Sequence, residues 1–152
     1  MAALHDVLLF LRKNGAPYEI IEDVKEIAES GIIRTKSLLF VAAGKYSMAV
    51  VPRRSTIHFH LLQKMFHKEN LRLVSNDEAS FLFPVSDVET MPPFGTLYGC
   101  RVYIDRTILK YPFILFRVCS PYLSIKICVE DYLNTVKPAL STVDFQEIGA
   151  LE

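Results

Sequence analysis

Lys36 is the first residue whose type and place could do chemistry. It heads an apolar run, Ser37-Leu38-Leu39-Phe40-Val41, where a solvated lysine has no obvious structural purpose. Either its ammonium group serves a ligand, or its stem covers a strand edge while the charge snorkels to water. A second group is basic: Arg53, Arg54, Lys64, Lys68 and Arg72 lie around one expected helix and its flanks. A solvated face accounts for them, and a tRNA end or another phosphate is the sharper alternative. The third is the stretch from Phe83 to Gly99, with three prolines and two glycines among its residues. Prolines forbid a continuous helix or central strand, and glycines allow bends that other residues resist. Yet Met91, Phe94, Leu97 and Tyr98 are large and apolar, so the stretch reads as a stiff loop packed on the body of the domain. Such loops build binding sites or cover one end of a sheet.

Familiar catalytic patterns are missing. Gly44-Lys45 resembles the end of a phosphate-binding P-loop, but Leu39 stands where the first glycine is needed and Tyr46 where a Ser or Thr must meet magnesium. His58 and His60 would face the same way only on a strand, and the spacing here predicts a helix. His5 and His67 read as helix-surface residues. No serine sits in a nucleophile elbow. Asp77-Glu78 and Glu130-Asp131 suit helix starts better than an acid–base pair. Cys100, Cys119 and Cys128 lack CxxC spacing and sit in apolar segments, as buried free thiols of a reducing cytoplasm would.

Composition bounds the rest. A chain of 152 residues, half hydrophobic with zero net charge, reads as one domain over 1–152 that is neither disordered nor a general polyanion binder. Nucleic-acid contact would need a local patch. No apolar run approaches the ~20 residues of a membrane helix. The N-terminus lacks the basic start of a signal peptide, so a cytoplasmic location is expected.

The elements that would position these residues follow from periodicity. Leu4, Val7, Leu8 and Leu11 predict a helix over 3–14, ended by Gly15 and Pro17. Tyr18–Ile21 reads as extended, and 23–30 as a weak helix. Lys36–Ala42 and Tyr46–Val51 predict a hairpin, and 57–67 a helix. Leu71–Val74 reads as a strand. Ser75-Asn76-Asp77-Glu78 fits a capping box that starts a helix ending near Phe83. Arg101–Ile104, Phe113–Val118 and Leu123–Val129 are strand-like. A last helix spans Glu130–Val136, and the tail beyond Ser141 lacks periodicity. Hairpins mixed with helices imply an α+β fold, a mixed and largely antiparallel sheet with helices packed against it.

Lys36 and the proline loop occur together with other pieces in a pattern that resembles the YbaK/prolyl-tRNA synthetase editing-domain family. The pieces are Thr35-Lys36-Ser37-Leu38-Leu39, Ala49-Val50-Val51-Pro52, Leu82-Phe83-Pro84, Met91-Pro92-Pro93-Phe94-Gly95, Leu97-Tyr98-Gly99 and Val102-Tyr103-Ile104-Asp105. The resemblance runs from the first helix to about Phe145. It implies an aminoacyl-tRNA deacylase that hydrolyses the ester of a mischarged amino acid on the 3′-terminal adenosine. That ester is already activated, so an oriented water, backbone donors and a fitted pocket can suffice without a covalent nucleophile. The family lysine that contacts the terminal nucleotide matches Lys36, and the pocket loop matches Met91, Pro92, Pro93, Phe94 and Gly95. Arg53 and Arg54 would guide the tRNA acceptor end. No metal or organic cofactor is implied. The partners implied are tRNA and an aminoacyl-tRNA synthetase.

The departures are specific. Glu89 stands where the family loop commonly carries a glycine, and Val118, Cys119, Ser120 and Pro121 replace an Ala-Gly-Thr-His-like turn. The lost glycine would have let backbone approach substrate, and the lost histidine could have bonded to it. A carboxylate at Glu89 would repel a phosphate but attract an amino acid's ammonium group. Glu89, Cys119 and Ser120 are therefore candidate pocket residues. Two readings follow: a stand-alone trans-editing hydrolase, or a catalytically silent module that binds tRNA or a synthetase.

Overall fold

The computed structural model describes residues 2–22, 31–42, 44–55, 71–83, 88–118, 120, 122–136 and 140–143. The helices expected over 23–30 and 57–67 lie outside the described residues, as do Lys64 and Lys68.

Helix α1 (Ala2–Lys13) buries Val7 and Leu11 and half-buries Leu4 and Leu8, the stripe its spacing demands. It ends as expected: Gly15 takes φ 64°, and the Ala16 amide returns to the Leu11 carbonyl. The other elements are β1 (Tyr18–Glu22), β2 (Ile32–Ala42), β3 (Lys45–Pro52), β4 (Arg72–Leu73), α2 (Asn76–Leu82), β5 (Arg101–Asp105), β6 (Phe113–Arg117), β7 (Leu123–Cys128), α3 (Val129–Val136) and β8 (Leu140–Val143). The eight strands form one mixed sheet in the order β1-β7-β6-β2-β3-β5-β8, with β4 also on β2. Neighbours pair antiparallel except β2–β6, β3–β5 and β5–β8, which are parallel. This is the α+β arrangement expected from the sequence.

The two faces of the sheet differ. Ile33, Leu39, Val41, Met48, Val50, Ile114, Phe116, Ile125 and Ile127 share one core with Val7 and Leu11 of α1, Ala79 of α2 and Tyr132 and Val136 of α3. A smaller cluster of Phe40, Ala49, Val51 and Leu71 forms on the other face. Alternation along β2 assigns its residues to one face or the other.

Two boundaries and one half of a capping box differ from the sequence reading. Strand β2 begins at Ile32, four residues before Lys36, because Ile32–Thr35 pair in parallel with Phe113–Phe116. Lys36 is thus a mid-strand residue, not the head of the strand. Residues 140–143 form β8 on β5, so the chain beyond Ser141 begins in a strand rather than in the aperiodic tail expected there. The Ser75 hydroxyl caps α2 by accepting from the Glu78 amide at 3.2 Å, as the capping box requires. Glu78 does not complete the box: its carboxylate takes Arg72 in two bonds, 2.6 and 2.9 Å, and the Tyr46 hydroxyl at 2.7 Å. A forked, charge-assisted pair outcompetes a single bond to a backbone amide.

Candidate functional site

Strand β2 changes neighbours halfway along one edge. Its first residues pair with β6 up to Thr35 and Phe116, and its later ones with β4 from Phe40. Between them, Lys36–Leu39 pair with no described strand on that edge, where the Val74 amide bonds to the Leu39 carbonyl and the 3-10 turn Val88–Thr90 packs against β2 and β6. A break of this kind beside the carboxyl end of a parallel strand is where open α/β sheets place ligands.

The proline loop is held into this break by three bonds to its backbone. Asn76 Oδ1 accepts from the Val88 amide at 2.9 Å, Ser37 Oγ donates to the Met91 carbonyl at 2.8 Å, and the Tyr132 hydroxyl donates to the Pro93 carbonyl at 2.7 Å. Phe94 is fully buried, and its ring meets Phe10 of α1, Phe116 of β6 and Tyr132 of α3 at 5.4–5.5 Å between centroids. Burial pushes the Tyr132 hydroxyl far above its usual pKa, so it is a neutral donor. Gly95 has no room for a side chain: a methyl would run into the Cys100 carbonyl and Val102. Over the described residues 88–99 the loop is packed on the body of the domain, as its apolar residues suggested.

Each candidate residue has a definite place. Lys36 is half-buried, registered with Val51 of β3, on the face of β2 that also carries Arg34 and Leu38. Met91, Pro92, Pro93, Phe94 and Gly95 are all buried, with Met91 and Phe94 in the core on the opposite face. The amides of Met91 and Phe94 are bonded to Val88 and Pro92 inside the loop. Arg53 and Arg54 follow β3, where the Arg53 amide bonds to the Arg34 carbonyl beside Thr35. Ser120 Oγ accepts from the Tyr122 amide at 3.1 Å, closing the turn between β6 and β7. The backbone of Glu89 lies in the 3-10 turn against β2. Cys119 and Pro121 lie outside the described residues. Arg72, grouped with the basic set by sequence, is committed to Glu78.

The register brings Lys36, the loop backbone and the β6–β7 turn to the carboxyl end of β6. It does not bring the side chains of Met91 and Phe94 to the face of Lys36. It also reveals a basic surface that sequence spacing hid. Arg34 is registered beside Leu115, Leu115 beside Lys126, and Arg117 beside Ser124. Alternation then sets Arg34, Lys36, Arg117 and Lys126 on one face of β2, β6 and β7, with Glu19 of β1 beside Lys126 at its edge. Lys126 Nζ lies 4.5 Å over the Phe113 ring there. Thr35, on the opposite face, is 3% exposed and its hydroxyl has no hydrogen-bond partner among the described residues. Ser37, Arg34, Arg117 and Tyr132 were not among the sequence candidates. The only signal for Ser37 was a hydroxyl in the buried phase of β2. Among the described residues no cluster of three or more metal-ligating side chains occurs. Cys100 is buried and its thiol is pushed up to about 11 by desolvation, so it is an inert core residue.

This fold is shared with solved structures. A candidate trans-editing enzyme for prolyl tRNA synthetase superposes with a TM-score of 0.74 at 17% identity, covering 95% of this chain and 96% of that one. A candidate signal transduction protein from Marinobacter aquaeolei VT8 gives 0.73 at 19% identity, covering 91% of this chain but 30% of that longer one. No functionally curated protein matches in sequence. The sequence model of the aminoacyl-tRNA editing domain matches residues 18–135. The chain belongs to the aminoacyl-tRNA editing domain family.

Proposed function

We propose that the chain, acting as one domain over 1–152, is a stand-alone trans-editing hydrolase of mischarged aminoacyl-tRNA. The observation that carries this reading is the cationic face around Lys36 at the break in the edge of β2. In a chain of zero net charge, Arg34, Lys36 and Arg117 concentrate positive charge where an RNA end would arrive, while Lys126 has Glu19 beside it. Lys36 holds the terminal nucleotide, and Arg53 and Arg54 guide the acceptor end. The backbone of Met91, Pro92, Pro93, Phe94 and Gly95 forms the pocket floor. Glu89, Cys119 and Ser120 border the aminoacyl group. A bound water attacks the ester carbonyl, and collapse of the tetrahedral intermediate releases the amino acid and the terminal hydroxyl of the tRNA. Positioning and electrostatic stabilisation supply the rate, since the ester is activated. Such an enzyme serves translation fidelity in the cytoplasm, alone or beside a synthetase. Among the described residues no helix is long and apolar enough to cross a membrane.

A second reading is favoured by one observation. The side chains of Met91 and Phe94 are 1% and 0% exposed, and their amides are already bonded. A module that kept the fold and the basic face, but binds tRNA or a synthetase without turnover, accounts for that.

Deacylation of a panel of radiolabelled aminoacyl-tRNAs, including alanyl- and cysteinyl-tRNA on the proline acceptor, separates the readings. Turnover of one member supports the hydrolase. Salt-dependent tRNA binding with no turnover from a folded chain supports the silent module.

A further inference from the structure

At the opposite end of β2, the β2–β3 turn and the loop entering β5 border a cleft of about 670 Å³. Tyr46, Phe83, Tyr98 and Tyr103 supply aromatic walls, Lys45 and Arg101 supply cations, and among the described residues no aspartate or glutamate lines it. Glu78 lies behind the Tyr46 hydroxyl, and the Arg72 fork compensates its charge.

The walls are fixed before any ligand arrives. Phe83 stands edge-on to Tyr46 at 5.9 Å and 89°, and to Tyr98 at 5.7 Å and 83°. Tyr103 packs on Phe40 at 5.9 Å. Gly44 and Gly99, at φ 76° and 70°, have nothing within 4 Å of where a side chain would begin, so the rim stays open. Ordered rings with cations beside them suit a planar ring carrying a phosphate. Lys36 is six residues up β2 from Ala42, which lines the cleft, a distance of about 20 Å. One nucleotide at the ester site cannot occupy both.

We propose that this cleft is a second nucleotide site. It takes one unpaired nucleotide, with the base against Tyr46 and Tyr98 and the phosphate between Lys45 and Arg101. The source is a free nucleotide or a single-stranded segment of RNA, and only the latter rests on the tRNA reading above.

Fluorescence anisotropy with a labelled RNA tetranucleotide tests this in the full chain carrying Lys36→Ala, which silences the ester site. Binding is expected to be salt-sensitive and to weaken at least about tenfold in Lys45→Glu/Arg101→Glu. Tyr98→Leu is expected to weaken it to a similar degree, with folding checked by circular dichroism. Reversal of Arg106 and Lys110, also exposed, should leave binding intact. Displacement of the tetranucleotide by AMP assigns the site to free nucleotides; binding that AMP does not displace assigns it to RNA. Wild-type affinity in Lys45→Glu/Arg101→Glu overturns the proposal, and so does equal binding of a blunt RNA duplex, which offers phosphates without an open base. Hydrolysis is not read, so failure of the deacylase reading and failure of this one are distinguishable.

Discussion

Ser37 and Met91, 54 residues apart, are joined by a buried 2.8 Å hydrogen bond from the serine hydroxyl to the methionine carbonyl. It ties the central strand to the proline loop one residue from Lys36. Ser37→Ala leaves that carbonyl buried without a donor, at a cost of about 1–3 kcal/mol. Urea denaturation should show the loss, and deacylation, where present, should fall because the loop is no longer fixed against β2. A variant as stable as wild type would mean that the bond holds nothing in place.

Phe94 joins α1, β6 and α3 through three ring contacts. Phe94→Ala should cost about 3–5 kcal/mol, the range for a buried aromatic truncated to a methyl group. The unfolding midpoint measures it. A cost below about 1 kcal/mol would place the ring outside the core.

Thr35 should behave in the opposite direction. Its buried hydroxyl bonds to none of the described residues, so Thr35→Val keeps the shape and removes a desolvation penalty of about 1 kcal/mol or more. A higher midpoint in chemical denaturation is expected. An equal or lower one would show that the hydroxyl is satisfied.

Glu78 sets an acid limit. The Arg72 fork and the Tyr46 hydroxyl lower its pKa from 4.5 to about 2. A depressed carboxylate pKa stabilises the fold fully above the unfolded value, and that contribution is lost as pH falls from about 4.5 toward 2. Glu78→Gln should flatten stability across this window and change it little in slope at neutral pH. An unchanged acid profile in the variant would contradict the assignment.

Local signals made several of these elements readable. The Leu4–Leu11 stripe with Gly15, and the Ser75 cap, are satisfied within a few residues, so sequence alone located them. The start of β2 was hidden because Ile32–Thr35 depend on a partner strand about 80 residues later. Strand β8 depends in the same way on β5. Glu78 misled because two residues distant in sequence, Tyr46 and Arg72, offered it more than the helix start did. Prolines and glycines announced the loop, but not that Phe94 becomes a hub or that Gly95 abuts the Cys100 carbonyl. At the candidate site, Lys36 stood out as a charge in an apolar run. Arg34 joins it by alternation once β2 is known to start at Ile32, and Arg117 only through the parallel register of β2 and β6, which no local pattern encodes.

Hydrolysis of the panel substrate by wild type and Lys36→Ala, under single-turnover conditions, tests the central claim most directly. Lys36 is half-buried at the surface of β2, so its truncation should leave circular dichroism and the unfolding midpoint near wild type. The rate constant is expected to fall about a hundredfold or more, as for loss of one positioned electrostatic group. An unchanged rate in the folded variant would contradict the role of Lys36 and, with it, the placement of the ester site at the break in β2.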